Sequence, residues 1–222
     1  MKKILFALVV AFTFFTGCES KNSNNVKVIV NQNNDLTLNY LFSADDNIIL
    51  EITNKDKAID DATINIAIYD NKNRLLGVEK KYIHKFSKGQ KNIYKISYDE
   101  ILPDSKDVKK VELTLTNTNY EYSNETSYID QVKGNITKST DEELNIKITN
   151  NSGKKIDLLD ASIVFYKNGK IIDLYSILAD NVDSEFTDKI YVPLISNKDG
   201  KMKYIDYDDV EIIINYAIAY NE

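Results

Sequence analysis

Leu36–Asn54 (LTLNYLFSADDNIILEITN) aligns without a gap on Val132–Asn150 (VKGNITKSTDEELNIKITN), 96 residues further along the chain, and both stretches end in Ile-Thr-Asn. Ala62–Tyr69 meets Leu159–Tyr166 at an offset of 97, Leu75–Val78 meets Ile171–Leu174 at 96, and Val111–Leu115 meets Val210–Ile214 at 99. Offsets that drift at turns while the strands keep register are what duplication with loop edits produces. The chain is therefore expected to fold as the same module twice.

Each block alternates with period two, the pattern of a strand with one face in a core. Leu144, Ile146 and Ile148 are expected to point inward, with Asn145, Lys147 and Thr149 facing outward. The next strand should bury Leu159, Ala161, Ile163 and Phe165, as Ala62, Ile64, Ile66 and Ile68 do in the first copy, leaving Tyr69 and Tyr166 at the same outward position. Between strands lie Asn54-Lys55-Asp56, Asn71-Lys72-Asn73, Asn150-Asn151-Ser152-Gly153 and Lys167-Asn168-Gly169, residue types that bond their own backbone or tolerate positive φ. No helical period follows the first eighteen residues. The expected fold is all-β: two tandem antiparallel β-sandwiches of the immunoglobulin-like kind, over residues 26–124 and 125–222.

A strand ending in Thr-Asn, a polar loop, then alternating apolar residues closing on an aromatic, a Tyr and a short Asn/Gly turn resembles the FxLYD-type immunoglobulin-like domains of bacterial surface proteins and lipoproteins. The matching residues are Gly134-Asn135-Ile136, Ile148-Thr149-Asn150, Phe165-Tyr166 and Asn168-Gly169 in the second copy, and Ile68-Tyr69-Asp70 in the first. Lys167 stands where the pattern has Asp after Tyr, Ile68 replaces the leading aromatic, and Leu38 stands where the second copy has Gly134. The resemblance implies an extracytoplasmic module without known catalysis.

The amino terminus supplies an address. Lys2 and Lys3, an apolar run from Ile4 to Phe15, and Thr16-Gly17 before Cys18 make a lipoprotein signal peptide, residues 1–17, too short to span a bilayer comfortably. An ordinary cleaved signal or a retained helix are the competing readings, and both leave the only cysteine at that position by coincidence. Cys18 is the expected site of lipid attachment, with palmitate-type acylation, on the outer face of a bacterial cell membrane. Residues 18–25 are then the lipidated Cys18 and a polar tether of seven residues, Glu19–Asn25. Loss of residues 1–17 leaves 205 residues and moves the formal net charge from −6 to −8, so no basic surface tracks phosphates and nucleic acid is not an expected partner. With Cys18 acylated, no thiol remains for a disulfide, a thiolate metal site or a nucleophile.

Catalytic patterns are absent. His84 is the only histidine; it lies in the alternation Tyr82-Ile83-His84-Lys85-Phe86, with no nucleophile elbow or phosphate loop in the chain, and reads as a structural residue of a strand. Acidic residues gather instead in turns. If successive strands run antiparallel, Asp141, Glu142, Glu143, Asp206, Asp208 and Asp209 reach one end of the second sandwich, with Tyr204 and Tyr207 beside them. Such a rim is either solvated or neutralised by a cation, calcium being the candidate, or by a basic partner.

The expectation for function is a membrane-anchored cell-surface lipoprotein whose two sandwiches act as a non-catalytic binding or spacer module toward an envelope protein or glycan. A surface hydrolase or carbohydrate-active protein is the alternative, and would need a convergent polar cluster in a cleft. A transporter's binding component would need crossover helices that the strand pattern lacks.

Overall fold

A computed structural model describes residues 26–31, 36–43, 47–55, 58–97, 108–117, 124–196 and 201–221; Cys18, the signal peptide and the tether lie outside them. Among the described residues the chain consists of strands joined by turns, with a single 3-10 turn at Ile129–Gln131 and no helix long and apolar enough to cross a membrane.

The strands β1 (Lys27–Asn31), β2 (Leu36–Phe42), β3 (Ile48–Asn54), β4 (Ile59–Tyr69), β5 (Leu75–Phe86), β6 (Lys91–Ile96) and β7 (Lys110–Asn117) form two sheets, ordered β1-β7-β4-β5 and β2-β3-β6. Then come β8 (Glu125–Ser127), β9 (Val132–Ser139), β10 (Glu143–Asn150), β11 (Ile156–Lys167), β12 (Lys170–Val182), β13 (Glu185–Tyr191), β14 (Leu194–Ser196), β15 (Met202–Tyr204) and β16 (Asp209–Tyr220). They give the sheets β8-β16-β11-β12 and β9-β10-β13, with β14 and β15 as a separate hairpin. The hairpins β2–β3 and β4–β5 answer to β9–β10 and β11–β12, and the antiparallel pairings β3–β6 and β4–β7 answer to β10–β13 and β11–β16. Among the described residues the edge strands differ, β1 running parallel to β7 and β8 antiparallel to β16, and the β14–β15 hairpin is an addition of the second half.

Each pair of sheets is sandwich-like and closes one apolar core. Leu38, Leu50 and Ile52 share the first core with Ile64, Ile66, Ile68 and Leu113; Leu144, Ile146 and Ile148 share the second with Leu159, Ala161, Ile163 and Phe165. Full burial of each large side chain contributes about 1.5–3 kcal/mol, the main source of stability in strands with alternating polarity.

The repeated motif residues have repeated chemical roles. Asn54 and Asn150, the last residues of the two Ile-Thr-Asn segments, are buried, and their Nδ2 groups donate to the Phe86 carbonyl (2.8 Å) and the Val182 carbonyl (3.0 Å), the corresponding ends of β5 and β12. Tyr69 donates its hydroxyl to Glu112 at 3.0 Å, and Tyr166 to Glu211 at 3.0 Å. The Asp that Lys167 displaces also has a counterpart. Asp70 closes the first β4–β5 turn by accepting the N–H groups of Lys72 (2.8 Å) and Arg74 (2.9 Å), while in the second copy Asp208, from the segment before β16, accepts the Asn168 N–H at 2.8 Å.

The two sheet pairs are docked rather than strung apart. The outer face of β2-β3-β6 meets the outer face of β12-β11-β16, where Ile49 and Ile93 are buried against Val164 and Leu174, with Leu41, Ile171 and Ile213 around them. β6 is an edge strand, and such a strand has backbone groups that its own sheet does not pair. Asn215 takes the neighbouring place: its Oδ1 accepts the Ile93 N–H at 2.9 Å and its Nδ2 donates to the Ile93 carbonyl at 3.1 Å. Ser162 Oγ donates to the same carbonyl at 2.7 Å, and Gln90 Nε2 donates to the Asn215 carbonyl at 2.8 Å. The backbone of Asn215 is available because the β11–β16 ladder steps there from Asp160↔Tyr216 to Ala161↔Ile214, making Asn215 the extra residue of a bulge.

Farther along β6, Lys95 pairs with the buried carboxylate of Asp173 at 2.8 Å. Since Asp173 lies nearer the β11–β12 turn than Asn215 does, corresponding ends of the two sheet pairs lie together. β1 begins at that same end: the Lys27 N–H donates to Lys109 and the Lys109 N–H to Tyr69, both at 2.9 Å.

Candidate functional site

Three turns of the second sheet pair converge where the sequence places the acidic rim. Tyr207 is the pin between them. Its ring packs edge-on to Phe165, with centroids 5.2 Å apart, and its hydroxyl lies 3.3 Å from Ser139 Oγ and donates to the Thr140 carbonyl at 3.5 Å. The Asp208 N–H donates to the Tyr166 carbonyl at 2.9 Å. The structure thus brings Asp206, Tyr207 and Asp208 beside both the β9–β10 turn, with Asp141, Glu142 and Glu143, and the β11–β12 turn. Tyr204 is half-buried and packs on the core. Asp209 opens β16 and turns its carboxylate onto the Val210 N–H at 2.8 Å.

Most of these carboxylates already serve the fold. Asp206 pairs with Lys167 at 2.9 Å, a hydrogen bond that holds its carboxyl below the ordinary range. Glu143 pairs with Lys189 at 2.6 Å and raises that ammonium's pKa. Asp208 caps Asn168, and the Glu142 carbonyl accepts the Val192 N–H at 2.9 Å. What the rim presents is an exposed, mixed-charge surface around a fixed tyrosine, the kind of polar and aromatic composition found at protein and glycan contacts.

A second cluster lies at the opposite end, near the connection between the sheet pairs, and it contains the one histidine. The hairpin register sets Asp61 of β4 directly across from His84 of β5, and the docking brings Glu125, the first residue of β8, against both. His84 Nδ1 stands 3.3 Å from Asp61 Oδ1 and 3.6 Å from Glu125 Oε2. Both carboxylate side chains are 5% exposed and the imidazole 18%. The ring is held between Tyr82, stacked at 6.5 Å, and Tyr216, edge-on at 5.4 Å. Among the described residues, this is the group of His, Cys, Asp or Glu whose ligand atoms come within 4.8 Å of one another. The sequence reading left His84 as a structural residue, because Asp61 and Glu125 are distant from it along the chain and no repeat marks them: Leu158 and Asp180 stand at the positions equivalent to Asp61 and His84.

Asp160, half-buried, is a further acid of the junction. Burial pushes its carboxyl up to about 6, against the Asn215 hydrogen bond at 2.7 Å and the more distant Lys81. The same burial, with Asp160 nearby, pushes Tyr216 up to about 12. No protein-family model and no curated protein sequence matches the chain.

Proposed function

We propose that the chain is an extracytoplasmic lipoprotein, held at the cell membrane by lipid on Cys18, whose residues 26–124 and 125–222 are two tandem immunoglobulin-like domains acting as a non-catalytic binding or spacer module. The observation that carries the reading is the docking of the two sheet pairs through Ile49, Ile93, Val164 and Asn215. A spacer or a composite binding surface needs fixed geometry between its modules, which two domains on a slack linker lack. The immunoglobulin-like assignment draws support from the strand plan, a three-stranded sheet packed on a four-stranded one in each half. The Tyr69–Glu112 and Tyr166–Glu211 pairs favour the FxLYD-type resemblance, as equivalent tyrosines bonded alike.

Orientation follows from where the chain enters. β1 starts at the end that carries the rim, and a seven-residue tether spans at most about 25 Å, so the rim stays near the membrane and favours an envelope partner there. The opposite end, with His84, faces away. The anchor is tested by growing cells with radiolabelled fatty acid. Label is expected on the parent protein and absent from Cys18→Ser, which should be released or keep its signal peptide. Label on the Cys18→Ser protein would overturn the anchor and with it this orientation.

A further inference from the structure

We propose that Asp61, His84 and Glu125 bind a divalent first-row transition-metal ion of the Zn2+ class, which fastens the start of the second sheet pair to the first. Burial is one ground: the Asp61 and Glu125 side chains, each 5% exposed, turn carboxylate oxygens toward one imidazole nitrogen.

Spacing is another. Tetrahedral Zn2+ with bonds of about 2.0–2.2 Å sets its ligand atoms about 3.3–3.6 Å apart. The Nδ1 to Oδ1 and Nδ1 to Oε2 separations are 3.3 and 3.6 Å, and the third edge is at most 4.8 Å. These are longer than the charge-assisted hydrogen bonds of an imidazolium and a carboxylate, about 2.7–2.9 Å. Glu125 adds an independent sign, since its Oε2 is buried, aims at Nδ1 and accepts no hydrogen bond.

The donor set selects the ion. One nitrogen and two carboxylate oxygens suit zinc-like ions, with water as the fourth ligand, whereas calcium takes six to eight oxygens. Tyr82 and Tyr216 hold the imidazole plane, as supporting groups do around metal-bound histidines. Asp61 and His84 come from one hairpin and form half the site in advance; Glu125 completes it only when the sheet pairs dock.

The full chain, purified in detergent and stripped with chelator, is titrated with ZnCl2 by calorimetry and with CoCl2 by visible absorption. One saturable equivalent is expected, with the absorption intensity of tetrahedral Co2+ and a zinc-dependent rise in melting temperature that CaCl2 does not reproduce. His84→Gln and Glu125→Gln should each weaken zinc binding about tenfold or more. Glu125→Gln keeps the side-chain shape, and the parent's Co2+ spectrum depends on no variant. Absence of saturable zinc binding, undiminished binding in both variants, or an equal rise with calcium would each overturn the proposal.

Discussion

Asn215→Ala tests whether the two sheet pairs are joined as described. The side chain is fully buried and serves four partners: it accepts the Ile93 N–H and donates to the Ile93 carbonyl, Ser162 Oγ and Asp160 Oδ1. Truncation leaves the Ile93 N–H buried without its acceptor, at about 1–3 kcal/mol. The Ile93 carbonyl loses less, because Ser162 still donates to it at 2.7 Å. Asp160 loses its nearest donor, for roughly another 1 kcal/mol. A total near 2–4 kcal/mol is expected from urea denaturation of the full chain. Amide hydrogen exchange supplies the specific readout: the Ile93 amide should exchange at least tenfold faster, while the Leu113 amide in β7 changes only as far as global stability does. Asn215→Asp should cost at least as much, since the acceptor remains but a second carboxylate would stand 2.7 Å from that of Asp160. An unchanged Ile93 exchange rate in Asn215→Ala would refute the docking contact.

Gly134→Ala should destabilise by about 1–3 kcal/mol, because the new Cβ would lie 2.3 Å from Cγ2 and 2.6 Å from Cβ of Ile212, and that Cβ is fixed to the backbone whatever the rotamer; a neutral result in denaturant melts would contradict the packing of β9 on β16. Phe165→Ala should cost about 3–5 kcal/mol in the same assay, and Lys147→Ala, which loses a half-exposed ion pair with Glu185, under about 1 kcal/mol. Asp160 rises from 3.8 to about 6 on folding, so its contribution to stability is fully present below pH 3.8 and is lost as pH climbs through 6. Among the described residues Lys81, Tyr94 and Tyr216 act on it, and burial keeps both tyrosines protonated throughout that window. Asp160→Asn should therefore be more stable than the parent by roughly 1–3 kcal/mol at pH 7, with the gap closing below about pH 4, and a gap independent of pH would count against the burial argument.

Strand positions and inward faces were legible because period two reports burial directly: Leu144, Ile146 and Ile148, and Ala62, Ile64, Ile66 and Ile68, lie in the cores where the alternation puts them. The docking face was harder to see, since alternation treats every outward residue as solvated. Its trace is the loss of alternation, in Ile163-Val164-Phe165 and Ile212-Ile213-Ile214 of the second copy and Ile48-Ile49-Leu50 of the first, where both faces of a strand are covered. The equivalent positions in the other copy stay polar or small, Ala67 for Val164, Thr114 for Ile213 and Asn145 for Ile49. The rim was legible in outline from strand direction. Its ion pairs were not, because Lys167 and Lys189 meet Asp206 and Glu143 only through turn geometry and cross-strand register. Residues 61, 84 and 125 lay beyond sequence reasoning altogether: a hairpin register joins the first two, and the third arrives by docking.

The contact between the copies also explains why the outward positions diverged. It joins unlike faces, the three-stranded sheet of the first copy and the four-stranded sheet of the second, which is a head-to-tail contact. Head-to-tail contacts between similar modules propagate unless the unused faces are made unfit for them. In the first copy the unused four-stranded face carries Asn65, Ala67, Thr114 and the Lys110–Glu112 ion pair. In the second, the unused three-stranded face carries Asn145, Lys147 paired with Glu185, and Lys189 paired with Glu143. Burying those charges against another copy would desolvate them without replacing their partners, whereas Ile49, Ile93, Val164 and Ile213 gain by leaving water. The contact thus uses the pair of faces that is apolar and leaves the charged pair in water.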